Sequence, residues 1–254
     1  MVRGIDVFRD YFAEYIDQYV LIGGAACDIS FQENDMDFRA TKDLDMVLVV
    51  EALTEEFALK FWAFIHDGKY QNRARSNGKP QFYRFDKPEV KGYPVMIELF
   101  SRAEWELKPE SVLTPIHIDD SVSSLSAILL NDSYYELLLE GRTVIDGVSI
   151  LKPSWLILFK AKAWLDLNEK MAQGLHVDSR DIKKHRNDIL RMVSEMVLEK
   201  CSLSGEVKED MMSFIEKLHV TDAELKNLKI RGLKEADIIR RLEQTYGLLR
   251  KSEE

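Results

Sequence analysis

The pattern of apolar residues changes near residue 150, and this change limits the folds open to the chain. Before that point, the runs YVLI (19–22), DLDMVLVVE (43–51), QFYRF (81–85) and VMIELF (95–100) predict strands among helical segments. Short strands are also predicted at IHI (116–118) and in TVIDGVSIL (143–151), and a loop is predicted over 67–80. Thr54 is expected to cap a helix over about 55–66. After Lys152-Pro153, four segments repeat apolar residues at the spacing of amphipathic helices. The sequence therefore predicts an α+β protein, with a mixed β-sheet flanked by helices over residues 1–150. An all-helical domain is expected to follow over residues 151–254.

The two predicted parts differ in net charge. The whole chain carries −9 with His neutral. Residues 1–150 hold 15 Lys and Arg against 26 Asp and Glu, a balance of −11, while residues 151–254 hold 20 against 18, a balance of +2. An acidic first part without an extended basic stripe is a poor surface for the phosphate backbone of nucleic acids.

Cysteine usage and hydropathy indicate the cellular compartment in which the protein is expected. Cys27 and Cys201 lie far apart and show no CxxC spacing, which argues against a disulfide scaffold and a Cys-based zinc site. The first residues lack the apolar stretch of a signal peptide. No run of ~18 apolar residues occurs, so we expect no transmembrane helix. These features predict a cytoplasmic protein with no membrane partner.

Acidic residues inside apolar strands carry the strongest functional signal. Asp43 and Asp45 are one residue apart, and because side chains alternate along a strand, both carboxylates point to one face. Glu98 lies inside a second apolar strand. Ionised carboxylates in such strands need compensation, and Mg²⁺ prefers hard oxygen ligands. The three acids predict a site for two ions ~3.5–4 Å apart. The alternative is an exposed strand face, or neutralisation of the acids by Arg39, Lys42 or Arg84.

A pair of glycines follows the first predicted strand. Gly23-Gly24 comes directly after YVLI and before AACDISF, which indicates a strand that turns sharply into a new segment. Without Cβ atoms, the backbone N–H groups of such a turn can approach an anion, and a following helix adds its positive end. The sequence predicts a phosphate site here, and the alternative is a tight turn with no ligand.

Together these motifs resemble the nucleotidyltransferase fold of the DNA polymerase β superfamily. Its pattern of Gly-Gly or Gly-Ser, an acid-x-acid strand and a later acid matches Gly23-Gly24, Asp43-Leu44-Asp45 and Glu98. The run RATKDLD (39–45) is similar to the one in AbiEii-like bacterial nucleotidyltransferases. The resemblance implies that Arg39 and Thr41 help to bind the nucleotide. It also extends to FKAKAW (159–164) and KKHRNDI (183–189), and it implies nucleotide contacts from Lys160, Lys184 and Asp188.

The resemblance implies a metal-dependent transferase. The expected reaction moves a nucleoside monophosphate from ATP or another NTP to an acceptor hydroxyl and releases pyrophosphate. Mg²⁺, or Mn²⁺ in its place, would be held by Asp43, Asp45 and Glu98. The acceptor class stays open among tRNA, protein and a small molecule, and AbiEii-like proteins suggest an antitoxin partner. The alternatives are a non-catalytic nucleotide- or partner-binding module with the same fold, and a metal-dependent phosphohydrolase.

Overall fold

The computed structural model describes residues 2–49, 51–74, 80–100 and 131–248. The chain forms two compact units: the first comprises Met1–Leu130 and Leu138–Lys152, and the second comprises Asn131–Leu137 and Pro153–Glu254. The long segment of the second unit begins just beyond the predicted start at residue 151. The assignment of residues 131–137 to this unit has no counterpart in the sequence pattern.

The first unit alternates helices and strands. Its elements in chain order are α1 (Ile5–Phe12), β1 (Tyr19–Ile22), α2 (Gly23–Glu33), β2 (Asp43–Leu48), α3 (Glu55–Asp67), β3 (Gln71–Ala74), β4 (Pro80–Asp86), β5 (Met96–Phe100), β6 (Arg142–Ile145) and β7 (Val148–Leu151). A 3₁₀ turn at Ala13–Tyr15 follows α1, and helix α4 (Asp132–Glu140) precedes β6. Mixed α/β structure in this part of the chain is therefore confirmed.

The seven strands form one mixed sheet. Their order is β3-β4-β5-β2-β1-β7-β6. Strand β2 runs parallel to β5 and β1 runs parallel to β7, while the other neighbours are antiparallel. The acid-bearing strands β2 and β5 are therefore direct neighbours near the centre of the sheet, although 47 residues lie between Leu48 at the end of β2 and Met96 at the start of β5.

One face of the central strands is apolar. Leu44, Ile97 and Phe85 lie opposite one another on β2, β5 and β4, and all three are buried. Helix α3 covers this face near Phe85, whose ring lies 5.6 Å from Phe61 and 5.8 Å from Trp62. Thr54 caps α3 as the sequence suggests, since its side chain accepts a hydrogen bond from Phe57 N. Residues next along these strands face the other way.

The second unit is built from helices. They are α5 (Pro153–Ala172), α6 (Ser179–Glu195), α7 (Gly205–Lys217), α8 (Asp222–Asn227) and α9 (Glu235–Tyr246). Local signals set their ends: Pro153 occupies the first position of α5, and Thr221 with Glu224 forms a capping box on α8. Gly247 ends α9 in the left-handed conformation. The predicted helical character after Pro153 is confirmed.

Two local expectations had different outcomes. The predicted strands in TVIDGVSIL are confirmed as the hairpin β6–β7, whose turn holds Asp146 and Gly147 at φ of 48° and 73°. The predicted loop at 67–80 is wrong in part because it contains β3. This strand lies at the sheet edge and pairs with β4 through its backbone. Its residues QNRA show no apolar alternation, which is the pattern that would have predicted a strand. The strand predicted at 116–118 lies outside the described residues.

The length and hydropathy of the helices bear on whether they can span a membrane. None of those in the described part of the chain is long and apolar enough to cross a bilayer.

Candidate functional site

The two acids of β2 share one face of the sheet. Asp43 and Asp45 are half-buried, whereas Leu44 and Met46 are fully buried on the opposite face. The predicted alternation along this strand is therefore confirmed. Each carboxylate has interactions with surrounding residues, so neither is an isolated charge.

A row of four residues crosses the sheet through Asp45. Ile22 of β1 lies opposite Asp45, Asp45 lies opposite Glu98 of β5, and Glu98 lies opposite Arg84 of β4. Neighbouring strands are ~4.8 Å apart, and residues opposite one another point to the same face. We call this set the cross-strand row. It places two acids and one arginine side by side at the centre of the sheet.

Gly23 allows the carboxylate of Asp45 to approach the backbone. A Cβ atom added to Gly23 would lie 1.9 Å from Asp45 Oδ2, and Gly23 has a φ of +66°. Both facts require glycine, since a side chain would overlap the carboxylate and would strain the left-handed backbone. The turn from β1 into α2 therefore lies directly against the second acid of β2.

Gly24 brings the segment before β2 to the same turn. A Cβ atom at Gly24 would lie 2.5 Å from Thr41 Oγ1 and 3.4 Å from Arg39 Nη2. Arg39 also lies over the ring of Phe38, with Cζ 5.2 Å from the ring centroid. The structure thus brings a hydroxyl, a guanidinium and an acid to the first turn of α2.

Glu98 is bound by Arg84. Arg84 Nε donates a hydrogen bond of 2.6 Å to Glu98 Oε1, and Nη2 contacts the same oxygen. The side chains are 28% exposed for Arg84 and 14% exposed for Glu98. The sequence analysis considered Arg84 only as a possible partner for the acids, and the structure gives it Glu98. Alternation places Arg84 and Asp86 on one face of β4, but the contact with Glu98 depends on the register of β4 against β5, for which the sequence gives no signal.

Asp86 is a further acid that the sequence analysis did not assign to the site. It lies opposite Met96 of β5, and Met96 lies opposite Asp43. This second row runs parallel to the first, two residues along each strand. Asp86 is buried, with an exposed fraction of 7%.

The acids of the sheet face fit a metal ion only in part. The carboxylates of Asp43 and Asp45 are oxygen donors of the type that Mg²⁺ prefers. Within residues 2–49, 51–74, 80–100 and 131–248, however, no three His, Cys, Asp or Glu side chains form a group that can hold a metal ion. Asp43, Asp45 and Glu98 share a face without forming such a group, and the cation beside Glu98 is Arg84. Two of the three predicted ligands thus fit a metal, and the third is engaged elsewhere.

Lys160 and Asp188 form a buried ion pair in the helical unit. Lys160 Nζ on α5 donates a hydrogen bond of 2.8 Å to Asp188 Oδ2 on α6. Their side chains are 4% and 2% exposed. Lys184, one turn before Asp188 on α6, is exposed. The resemblance implied nucleotide contacts from both residues; the structure encloses Asp188 between α5 and α6 and leaves Lys184 exposed.

A cleft of about 610 Å³ lies in the helical unit and is lined by residues of α5 and α7. Lys162 Nζ lies there 3.4 Å from both Asp166 Oδ1 and Asp210 Oδ1. Tyr134 donates a hydrogen bond of 2.9 Å to Asp210 Oδ2. Burial raises the pKa of Asp166, and Lys162 opposes that rise. The two acids of this cleft, Asp166 and Asp210, are therefore neutralised in part by Lys162.

Comparison with known proteins gives one distant similarity. No protein-family model matches the sequence, and no curated protein matches it. Among solved structures, the chain is similar to an antigenic nucleotidyltransferase-like protein from Paracoccidioides brasiliensis. The two are 17% identical, the match covers 92% of this chain and 97% of that one, and the TM-score is 0.42. Because the TM-score is below 0.5, the geometry of the chain itself has to carry any assignment of activity.

The contact between Gly23 and Asp45 predicts a specific sensitivity to added volume. Gly23→Ala adds about 1–2 kcal/mol of left-handed backbone strain and about 1–3 kcal/mol more from the overlap with Asp45. Gly147→Ala is the matched control, because its φ is +73° and its Cβ would meet only the flexible side chain of Arg9 at 3.3 Å. Urea denaturation of both variants measures the difference. Equal losses of stability would show that Asp45 does not lie against the turn.

The buried pair predicts strong coupling between two helices. Lys160→Met leaves the buried carboxylate of Asp188 without its cation, and Asp188→Asn leaves the buried ammonium of Lys160 without its anion. Each change should therefore cost about 3–5 kcal/mol. The double variant Lys160→Met/Asp188→Leu should recover much of this loss, because neither charge remains. Arg240→Met is the control, since it breaks the exposed pair with Asp237 and should cost less than ~1 kcal/mol. Single variants as stable as this control would contradict a structural role for the pair.

Proposed function

We propose that this chain transfers a nucleoside monophosphate from an NTP to an acceptor hydroxyl and releases pyrophosphate. The observation that carries the proposal is the position of Asp45, whose carboxylate lies against the Gly23 turn at the start of α2 and opposite Glu98 in the sheet. Nucleotidyl transfer requires backbone N–H groups that can bind phosphate and acids that can hold a divalent cation beside them, and this turn and these acids would supply both. The resemblance of the sequence motifs to nucleotidyltransferases supports the same conclusion.

Transfer of this kind depends on positioning and on neutralisation of charge. Asp43 and Asp45 would hold Mg²⁺, which supplies positive charge beside the triphosphate and lowers the pKa of the acceptor hydroxyl. The backbone N–H groups of Gly24 and the next residues of α2 would bind phosphate oxygens. Thr41 and Arg39, which lie beside Gly24, would add a hydroxyl donor and a guanidinium.

The proposed reaction balances as a displacement at phosphorus. The acceptor oxygen forms a bond to the α-phosphorus, and the bond from that phosphorus to the bridging oxygen breaks. Pyrophosphate leaves with the electron pair, and the hydroxyl proton passes to Glu98 or to solvent. Glu98 can accept that proton only if its carboxylate, which is hydrogen-bonded to Arg84 in the structure, also reaches the acceptor hydroxyl.

The helical unit contributes less to the proposal than the sequence motifs suggested. Lys160 and Asp188 neutralise each other in the interior, which supports a structural role for both. Lys184 is exposed, so a role for it in nucleotide binding stays a proposal from the resemblance. An antitoxin partner likewise stays a proposal from the resemblance.

Loss of Asp45 should abolish transfer without unfolding the protein. Asp45→Asn keeps the shape of the side chain but removes its charge, so transfer of label from α-³²P-NTP should fall by at least on the order of 10²–10³-fold. Asp10→Asn is the matched control, since Asp10 is exposed on α1, and it should retain full transfer. Circular dichroism melting checks that both variants are folded. Full activity in Asp45→Asn would rule out this assignment.

The same assay can identify the acceptor class. The protein is incubated with each α-³²P-NTP in turn and with fractions of a cell lysate enriched in tRNA, protein or small molecules. If one fraction becomes labelled with the wild-type protein but not with Asp45→Asn, that fraction contains the acceptor class. Release of pyrophosphate or phosphate with no labelled acceptor would instead favour a phosphohydrolase.

A second candidate function is a nucleotide-binding module without catalysis. The observation that favours it is the engagement of Glu98 by Arg84, together with the lack of a metal-holding group of three side chains among the described residues. Calorimetry with ATP and Mg²⁺ separates the two candidates when it is paired with the transfer assay. Binding that Asp45→Asn weakens, with no transfer to any fraction, would establish the module.

A further inference from the structure

A Schellman motif reverses the chain at the end of α2. Asp35 adopts the left-handed conformation, with a φ of 55°. Its backbone N–H donates to Gln32 O at 3.0 Å, and the N–H of Met36 donates to Phe31 O at 2.9 Å. These two hydrogen bonds are the pair that ends a helix in this motif. The chain then turns back along α2 over residues 36–42, which we call the return segment.

Two contacts fix the position of the return segment on α2. The rings of Phe38 and Phe31 lie 4.9 Å apart between centroids, and Thr41 Oγ1 lies 2.5 Å from the position of a Cβ atom at Gly24. Gly24 and Phe31 are seven residues apart, so they lie on one face of the helix, ~10.5 Å apart along its axis. An extended chain covers a similar ~10 Å in the three steps from Phe38 to Thr41. The two contacts therefore match in spacing and set the register of the segment along the helix.

Arg39 lies between these two contacts and reaches the turn at the start of α2. Its Cζ lies 5.2 Å from the centroid of the Phe38 ring, and its Nη2 lies 3.4 Å from the Cβ position of Gly24. Phe38 and Arg39 are both half-buried. A guanidinium is attracted to the face of an aromatic ring. The Phe38 ring therefore favours the conformation of Arg39 that brings its guanidinium to Gly24.

We infer that Phe38 is a positioning residue for nucleotide binding. Its ring packs on Phe31 and supports the guanidinium of Arg39, which then contacts phosphate oxygens beside the backbone N–H groups at the start of α2. Because the Arg39 side chain is already ordered in the folded chain, less conformational entropy is lost when the nucleotide binds. This inference rests on the proposed function, in which Arg39 adds a guanidinium to the phosphate site, and it adds a residue that acts only through Arg39.

Phe38→Leu separates the aromatic face from the apolar contact. Leucine can still pack on Phe31 but offers no aromatic face to Arg39, so the affinity for ATP with Mg²⁺, measured by calorimetry, should fall about two- to fivefold. In the transfer assay, KM for the NTP should rise by the same factor while kcat is unchanged, because the lost contact acts on binding. Phe38→Tyr keeps the ring and should bind ATP as the wild-type protein does.

A double-mutant cycle distinguishes positioning from a general structural role. Arg39→Gln should weaken ATP binding about tenfold or more, because a charged contact with phosphate is lost. In that background Phe38→Leu should add no further loss, since the ring has no guanidinium to hold. Tyr15→Leu is the matched control and should leave ATP affinity unchanged, because Tyr15 is half-buried and packs on Phe57 with centroids 5.8 Å apart. Circular dichroism melting checks that each variant is folded.

The outcomes separate failure of this inference from failure of the proposed function. If Phe38→Leu binds ATP as tightly as the wild-type protein, or weakens binding equally in the Arg39→Gln background, the positioning role is overturned while the proposed function stands. Unchanged ATP affinity in Arg39→Gln overturns the inference as well. A wild-type protein that binds no ATP overturns the proposed function together with the inference. The expected cycle without any transfer of label would support the inference and reject catalysis.

Discussion

The close approach of the Asp45 carboxylate to the backbone of Gly23 is the constraint on which the site depends. It fixes the path of the chain from β1 into α2 and the register of β2 against β1, because Ile22 lies opposite Asp45. A slip of one residue in that register would turn Asp43 and Asp45 to the face covered by α3. There the carboxylates would replace Leu44 and Met46 in a packed apolar layer. Burial of charged groups without compensation would strongly destabilise the folded state.

The distribution of charge across the central strands follows from that register. One face of β2, β5 and β4 carries Leu44, Ile97 and Phe85, and the other carries Asp45, Glu98 and Arg84. Half-burial of several acids on one face is tolerated only with nearby positive groups or dipoles. Arg84 supplies one such group, and Arg39 with the N-terminus of α2 lies at the other end of the row. The arrangement has positive groups on both sides and acids between them.

Much of the fold could be predicted from the sequence because its signals are local. The strands at 19–22 and 95–100, the hairpin at 142–151 and the helices after Pro153 each show a clear period or a turn residue. The shared face of Asp43 and Asp45 follows from alternation alone. The edge strand β3 could not be predicted, because its residues QNRA show no apolar alternation and its pairing with β4 is a contact between backbones.

Contacts between residues distant in sequence could not be predicted in the same way. The pairing of Arg84 with Glu98 depends on the register of two strands joined by a long connection, and one residue of slip would remove it. The pairing of Lys160 with Asp188 depends on how α5 and α6 pack, and spacing along one helix gives no information about that. The resemblance implied nucleotide contacts from Lys184 and Asp188, which are four residues apart on one helix. Burial of Asp188 against α5 separates their environments.

The internal pairing of Lys160 changes where positive charge for a nucleotide must come from. A triphosphate is strongly anionic, and residues 1–150, which contain the candidate site, carry a net charge of −11. Lys160 pairs with Asp188 in the interior of the helical unit, whereas Arg84 binds Glu98 and Arg39 lies beside Gly24 at the N-terminus of α2. The carboxylates of the candidate site repel an anionic ligand unless positive charge offsets them. Under the proposed function, nucleotide binding should therefore depend on a divalent cation, which Asp43 and Asp45 would hold and whose charge would offset the acids beside the triphosphate.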